Sequence, residues 1–197
     1  VCLSCSSSGW SRDCLPCNAK HTRWGILKTN AVKWGAFNVK ENTALPPNLE
    51  GRPQISLTRG DVLVTRAGPI DRVGVIEFCN ENHPKIMLSD KIIRICSKTD
   101  ELMGEFLSIW LSSHMAQRNM RAKISGRAEA QSNISQDILK YVATTIPNVS
   151  EQKQSAKVLR AIAEGIRGAN LKLSQTQSLK KSLMQDLLTG KVRVTVN

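Results

Sequence analysis

Between Ser150 and Gly190 the chain repeats one hydrophobic spacing, and that spacing restricts its fold more than any other feature. Leu159, Ile162, Ile166, Ala169, Leu173, Thr176, Lys180, Leu183 and Leu187 follow one another at alternating steps of three and four. This is the heptad spacing of a helical seam, here with a polar middle. Ser150 opens the segment. A helix is predicted from Glu151 to about Leu188, a rod of roughly 57 Å at about 1.5 Å per residue. Gly190 is placed just past its last turn, and Lys191–Val196 reads as a short extended tail. Gly165 and Gly168 lie inside the helix, each unfavourable by about 1 kcal/mol against Ala. Another helix approaching closely there would make that cost tolerable. A strand domain of about 100 residues cannot cover so long a seam, so it calls for a partner helix. That helix belongs to the rest of a longer chain, a second copy or another protein. The other reading is a bent or broken helix packed on its own domain.

Upstream the pattern changes. Ile26–Thr29, Ile55–Leu57, Asp61–Arg66, Gly74–Phe78, Ile86–Leu88 and Lys91–Cys96 are short β-branched or aliphatic runs. Pro46-Pro47, Gly51, Gly60-Asp61, Gly68-Pro69 and Asn80 to Pro84 separate them. Short strands so punctuated predict an irregular antiparallel sheet or a small barrel. Asp100 is an expected N-cap for a helix through about Lys123, with Leu102, Phe106, Ile109 and Met115 near one face. A polar loop, Ser125 to Asn133, follows. Ser135 then caps a short helix, Gln136 to Tyr141, and Ile146-Pro147 stops the chain again. The expected class is α+β. Residues 1–149 form a mainly β domain with associated helices, and residues 150–197 form a long coiled-coil-forming helix and tail.

Charge adds a partner class. The 197 residues hold 28 Lys+Arg against 16 Asp+Glu, net +12. Residues 1–150 carry 19 basic and 13 acidic side chains, and residues 151–197 carry 9 and 3. A basic excess spread in this way fits a polyanion, most often nucleic acid. It also fits a basic protein with no such partner. A hydrophobic fraction of 41% excludes disorder as a global description. No apolar run approaches the roughly 20 residues of a membrane span. Without a leader pattern, a cytoplasmic chain with no membrane contact is expected. The start at Val1 reads as a missing true beginning. No P-loop, H-E-x-x-H or triad is present, so catalysis by this chain is not expected. His21, His83 and His114 are isolated.

Cys2, Cys5, Cys14 and Cys17 form C-x2-C-x8-C-x2-C. Four thiolates so spaced could hold a tetrahedral zinc, although the eight-residue interval is tight. A disulfide pair requires an oxidising compartment, for which nothing argues. Cys79 and Cys96 lie in strand-like runs and read as core residues.

Several stretches carry a family resemblance. Leu179-Lys180-Lys181-Ser182-Leu183-Met184-Gln185-Asp186-Leu187-Leu188-Thr189-Gly190-Lys191-Val192-Arg193-Val194 strongly resembles the end of a repeat in the DNA-specificity subunit of type I restriction–modification systems. Arg59-Gly60-Asp61-Val62-Leu63-Val64-Thr65-Arg66-Ala67 resembles a strand of that family. Gln131-Ser132-Asn133-Ile134-Ser135 resembles one of its loops, and Ile146-Pro147 with Glu151-Gln152 resembles the approach to its long helix. Gly9-Trp10-Ser11, Trp24-Gly25-Ile26-Leu27-Lys28 and Glu41-Asn42-Thr43-Ala44-Leu45-Pro46 resemble one subgroup's approach to the strand domain. The four paired cysteines depart from the family, which weakens the zinc reading.

The resemblance implies one target-recognition domain that holds double-stranded DNA, followed by one conserved long helix. It implies a non-catalytic, sequence-specific subunit that directs its complex to a bipartite target. The methyltransferase subunit would bind S-adenosylmethionine and transfer methyl groups, and the restriction subunit would supply nuclease and translocase functions. The helix would pair with a second specificity repeat or a second copy and contact the methyltransferase. Its pairing residues would be Leu159, Ile162, Ile166, Ala169, Leu173, Leu183 and Leu187. The chain would be a half-subunit or the C-terminal part of a full one.

DNA reading needs cations for phosphates and polar side chains for base edges. The candidates are Lys20 and Arg23 beside Trp24, Arg66 and Arg72 around a Gly-Pro turn, and Lys123, Arg127, Gln131, Ser132 and Asn133 in the polar loop region. Plainer readings accompany them. Arg66 could pair with Asp61 or Asp90, Asn133 and Ser135 could cap a helix, and Lys123 and Arg127 could be solvated charges. Trp10, Trp24, Trp34 and Trp110 read as core rather than base-stacking groups. Two other classes stay open: a coiled-coil scaffold, and a small zinc-ribbon nucleic-acid binder.

Overall fold

The computed structural model describes residues 5–19, 23–96, 101–123, 132–140 and 146–193. Contacts divide the chain into two compact units, Val1–Ala156 and Lys157–Asn197. In chain order the first unit contains β1 (Cys5–Ser8), β2 (Gly25–Leu27), β3 (Val32–Lys33), β4 (Ala36–Phe37), β5 (Asn42–Ala44), β6 (Ser56–Leu57), β7 (Val62–Thr65), β8 (Ala67–Gly68), β9 (Ile76–Phe78), β10 (His83–Met87) and β11 (Ile92–Cys96). Then come α1 (Gly104–Leu111), α2 (His114–Arg121), β12 (Ser132–Asn133), α3 (Gln136–Lys140) and the start of α4 (Val149–Leu188). The fold is α+β, as the two compositional regimes predict.

Two four-stranded sheets dominate, in the orders β1-β11-β7-β9 and β5-β2-β10-β6. The first is antiparallel throughout, and the second contains one parallel pair, β2 with β10. The period of two along a strand sorts the side chains. Val62, Val64, Ile93 and Ile95 enter one core with Leu107 and Leu111 of α1 and Met120 of α2. Leu63 and Ile92 enter a second core, with Leu27, Leu57 and Leu88. The β7–β11 pair is therefore covered on both faces. That is why its sequence is continuously apolar rather than alternating.

The helix expected from Asp100 to Lys123 is two helices. Ser112 Oγ donates to Ser108 O at 2.8 Å, and Ser113 Oγ caps α2 by accepting from Ala116 N at 3.3 Å. Such side-chain bonds compete with an unbroken helix. Gln117 Nε2 then bonds Leu111 O and Gly74 O, tying α2 to α1 and to the sheet. Met115, expected on the apolar face, is 65% exposed; Ala116, Gln117 and Met120 are buried instead. Asp100 lies outside the described residues. Ser135 does cap α3, accepting from Ile138 N at 3.4 Å.

The long helix is unbroken over 40 residues, about 60 Å. Its cap is Asn148 rather than Ser150: Asn148 Oδ1 accepts from Glu151 N at 3.0 Å. Its end is as expected. Gly190 has φ +74°, its N–H reaches Leu187 O, and Lys191 N–H reaches Asp186 O. That pair of bonds is a Schellman motif, and the positive φ suits glycine. The first two turns belong to the first unit, where Gln152 and Ala156 are buried. Gln152 Nε2 donates to Glu101 O (2.6 Å) and Pro147 O (2.9 Å), and its Oε1 accepts from Met103 N (2.8 Å). In the second unit Ile162 is 53% and Leu173 56% exposed, and every expected seam residue is open to solvent.

Candidate nucleic-acid interface

The inter-strand loops of the first unit converge, and a few polar bonds, from the buried Thr65 outward to exposed arginines, fix how. Thr65 ends β7, and its hydroxyl donates to Arg72 O (2.6 Å) and accepts from Val75 N (2.9 Å). The loop between β7 and β9 is thereby pinned, with Arg72 exposed on a 3-10 turn, Ile70–Arg72. β12 pairs with β8, setting Asn133 opposite Ala67. Asn133 Oδ1 accepts from Arg66 Nε at 3.2 Å, and the Arg72 guanidinium donates to Asn30 Oδ1. Arg66 N donates to Lys91 O at 2.7 Å, which brings in the β10–β11 turn.

Two open cavities lie along this edge. One, of about 200 Å³, is bounded by Thr29, Asn30, Lys33, Trp34, Asp71 and Arg72 among others. The other, of about 210 Å³, is bounded by Trp10, Arg12, Lys28, Thr29, Asp90 and Lys91 among others. Thr29 lines both. Arg12, Lys28, Lys91, Arg66, Arg72 and Lys33 thus form one basic edge, with Asp71 and Asp90 as the acids lining its cavities. A surface of this charge attracts a polyanion and can neutralise several phosphates at once.

The contacts join Arg66, Arg72 and Asn133 from the expected set. Arg23 and Lys123 are exposed on segments that take no part in the contacts just described. Lys20, Arg127 and Gln131 lie outside the described residues. Ser132 is placed by its main chain, in β12. Arg66 is not the ion partner of Asp61. Arg94 fills that place, 3.7 Å from Asp61, and also bonds Ser56 O and Gln54 O. Asn133 binds Arg66 and leaves helix capping to Ser135.

Arg12, Lys28, Asn30, Lys33 and Lys91 were missed, because topology rather than spacing brings them together. Trp34 departs from the core expectation at 45% exposure. The run Lys33-Trp34-Gly35 between Val32 and Phe37 was a readable turn signal. Trp10 is half-buried, with the Arg52 guanidinium 4.1 Å and that of Arg12 5.2 Å from its ring. Trp24 packs against a third core cluster, formed by Ile26, Leu45 and Met87, and Trp110 against the first, as expected.

Among the cysteines, Cys2 lies outside the described residues and Cys5 pairs in register with Cys96. Cys14 packs in the third core cluster and Cys17 is exposed. Among the described residues no group of three or more His, Cys, Asp and Glu is placed to hold a metal ion. Cys79 is buried as expected, and burial pushes its thiol up to about 11 against a hydrogen bond to Glu81 O. No helix among the described residues is long and apolar enough to cross a membrane.

A family model described as type I restriction modification DNA specificity domain matches residues 32–175. The chain belongs to that family.

Other members of the specificity family are similar along most of the chain. The EcoEI specificity subunit of Escherichia coli is 35% identical over 185 residues, 92% of this chain and 31% of that protein. The MjaVIII specificity subunit of Methanocaldococcus jannaschii is 28% identical over 173 residues, 85% of this chain and 40% of the relative. The chain thus spans about a third of the length of the curated relatives it matches. The crystal structure of an HsdS subunit from Thermoanaerobacter tengcongensis shares the fold with a TM-score of 0.59 at 15% identity, covering 87% of this chain and 45% of that one. The S subunit from M. genitalium gives 0.57 at 16%, covering 92% and 42%.

The family motifs now have physical roles. Asp61 of the Gly-Asp-Val-Leu run accepts from Thr58 N and pairs with Arg94. Asn133 of the Ser-Asn-Ile-Ser run steadies Arg66. Gln152 locks the first turns of α4 to the strand domain.

Proposed function

We propose that the first unit is a target-recognition domain that reads double-stranded DNA, as the non-catalytic part of a type I restriction–modification complex. The observation that carries this is the basic edge of converging loops, found in a chain of the specificity family. In this reading Lys33, Arg72, Lys91, Lys28 and Arg12 hold phosphates, and Arg66, oriented by Asn133, faces a base edge. A steadied guanidinium suits bidentate recognition of guanine.

The exposed seam of α4 pairs with a second specificity repeat or a second copy, which sets the distance between two half-sites. The methyltransferase subunit docks on the same complex, binds S-adenosylmethionine and carries out methyl transfer, and a restriction subunit cleaves. The complex works in the cytoplasm, where its DNA is. Support for the pairing comes from the seam itself: periodic, apolar at seven of its nine positions, and solvent-exposed along its length.

The test is a salt titration of the native complex on duplexes with and without its recognition motif. If about five edge cations engage phosphates, log K falls with log salt at a slope near −4.5. The motif duplex binds at least ~1000-fold more tightly than a scrambled one. Equal binding to both duplexes refutes the reading.

A further inference from the structure

The β3–β4 ribbon holds Trp34 in water. Its base is anchored: Val32 is buried in the second core, and Phe37 packs on that core with its ring 6.0 Å from that of His83. Its tip, Lys33 to Ala36, is exposed. The turn residue Gly35 has φ +68° while Trp34 keeps a negative φ, the pattern of a type II turn. A side chain at position 35 would be strained, so glycine suits the tight turn that carries the indole at the ribbon's tip. Large aromatic rings are seldom left this open. Lys33 is the neighbour of Trp34 in sequence, and Arg72, held by Asn30, lines the same cavity together with Asp71, so two cations against one acid leave the border of the ring net positive.

An apolar ring bordered by positive charge fits a surface with an apolar spot inside a negative frame. The DNA major groove is such a surface and is wide enough for a two-stranded ribbon. Its one apolar group is the thymine 5-methyl. We propose that Trp34 is a specificity-determining residue that reads a thymine methyl in the target, with Lys33 and Arg72 on the flanking phosphates. This rests on the DNA-reading function proposed above and adds to it a named base contact.

Uracil lacks only that methyl, so the test replaces each thymine of the motif by uracil and measures binding by the native complex. Wild-type complex is expected to lose about fourfold in affinity at one thymine, the effect of exposing one buried methyl. Trp34→Ala binds the thymine and uracil duplexes equally, and Trp34→Phe, which keeps a smaller ring, gives an intermediate response. Lys33→Ala weakens both duplexes alike and preserves their ratio. The proposal is overturned if no uracil weakens the wild type, or if Trp34→Ala still loses fourfold at the same base. A ring that instead wedges into the minor groove bends the duplex and gives no uracil response, which also overturns it. Failure of DNA reading itself looks different: the wild type then shows no preference for its motif over scrambled DNA.

Discussion

Gln152 is fully buried and spends its amide on three main-chain partners from two segments. Replacing it by Ala strands Met103 N–H and the carbonyls of Glu101 and Pro147, and opens a small cavity. At about 1–3 kcal/mol for each unsatisfied group, with partial relief by water, a loss of about 3–5 kcal/mol follows. For a unit of this size that is a fall in Tm of roughly 6–20 °C. Gln152→Glu is the sharper probe, because it is nearly isosteric and reverses one function. A carboxylate would face the two carbonyl oxygens that the amide nitrogen now bonds, whereas the protonated acid can donate to one of them. The introduced group therefore has a folded-state pKa above its unfolded value of about 4.3. The folded state binds the extra proton, so stability falls as pH rises. The loss relative to wild type begins near pH 4.3, grows by up to about 1.4 kcal/mol per unit, and levels off above the folded pKa. Thermal or urea unfolding of wild type and both variants from pH 4 to 8 measures this. A Gln152→Ala loss under about 1 kcal/mol, or a Gln152→Glu deficit that does not grow with pH, refutes the reasoning.

Three further outcomes follow from named contacts. Cys79, with its thiol pushed up to about 11 and its side chain buried, stays unreactive to a thiol reagent at pH 8 in the folded protein, while exposed Cys17 is labelled; mass spectrometry of the labelled chain distinguishes them. Gly165 and Gly168 have open space around them, so changing both to Ala raises the helicity and stability of the unpartnered helix by about 1 kcal/mol per site. If another helix packs there in the complex, the same pair of changes weakens association, and sedimentation reads the opposite sign. Asn133→Ala releases Arg66, so Arg66→Ala and Asn133→Ala affect motif binding less than additively in a double-mutant cycle.

Strands β7, β9 and β11 were legible because they are apolar runs between turn residues; β10 was legible only at its Ile86-Met87 end, since His83 and Pro84, expected in a separating turn, begin the strand. β1 was not, since Cys5–Ser8 has no apolar alternation and is a strand only because β11 offers it an edge. β5 was hidden in the same way by Asn42 and Thr43. The break between α1 and α2 was hidden because helical periodicity continues through Ser112 and Ser113, and Gln117 resolves it through a contact 43 residues away in sequence. The long helix was the most readable element, its periodicity and Gly190 stop both being local signals. Only its cap was displaced, from Ser150 to Asn148, where the side chain reaches Glu151 N. Within the interface, Arg66 and Arg72 could be found because they follow a strand-ending motif, and Asn133 because it lies in a polar loop ahead of a helix. Arg12, Lys28, Lys33 and Lys91 could not, since they come from separate loops and meet only after the sheets form.

The most direct measurement of the central claim is methylation-aware sequencing of DNA from cells expressing the native specificity subunit with its methyltransferase. It is made for wild type and for the Arg66→Ala, Arg72→Ala double variant. The account predicts adenine methylation at one bipartite motif in the wild type, and a lost or relaxed half-site in the variant. Methylation at no defined motif, or an unchanged motif after both arginines are removed, contradicts it.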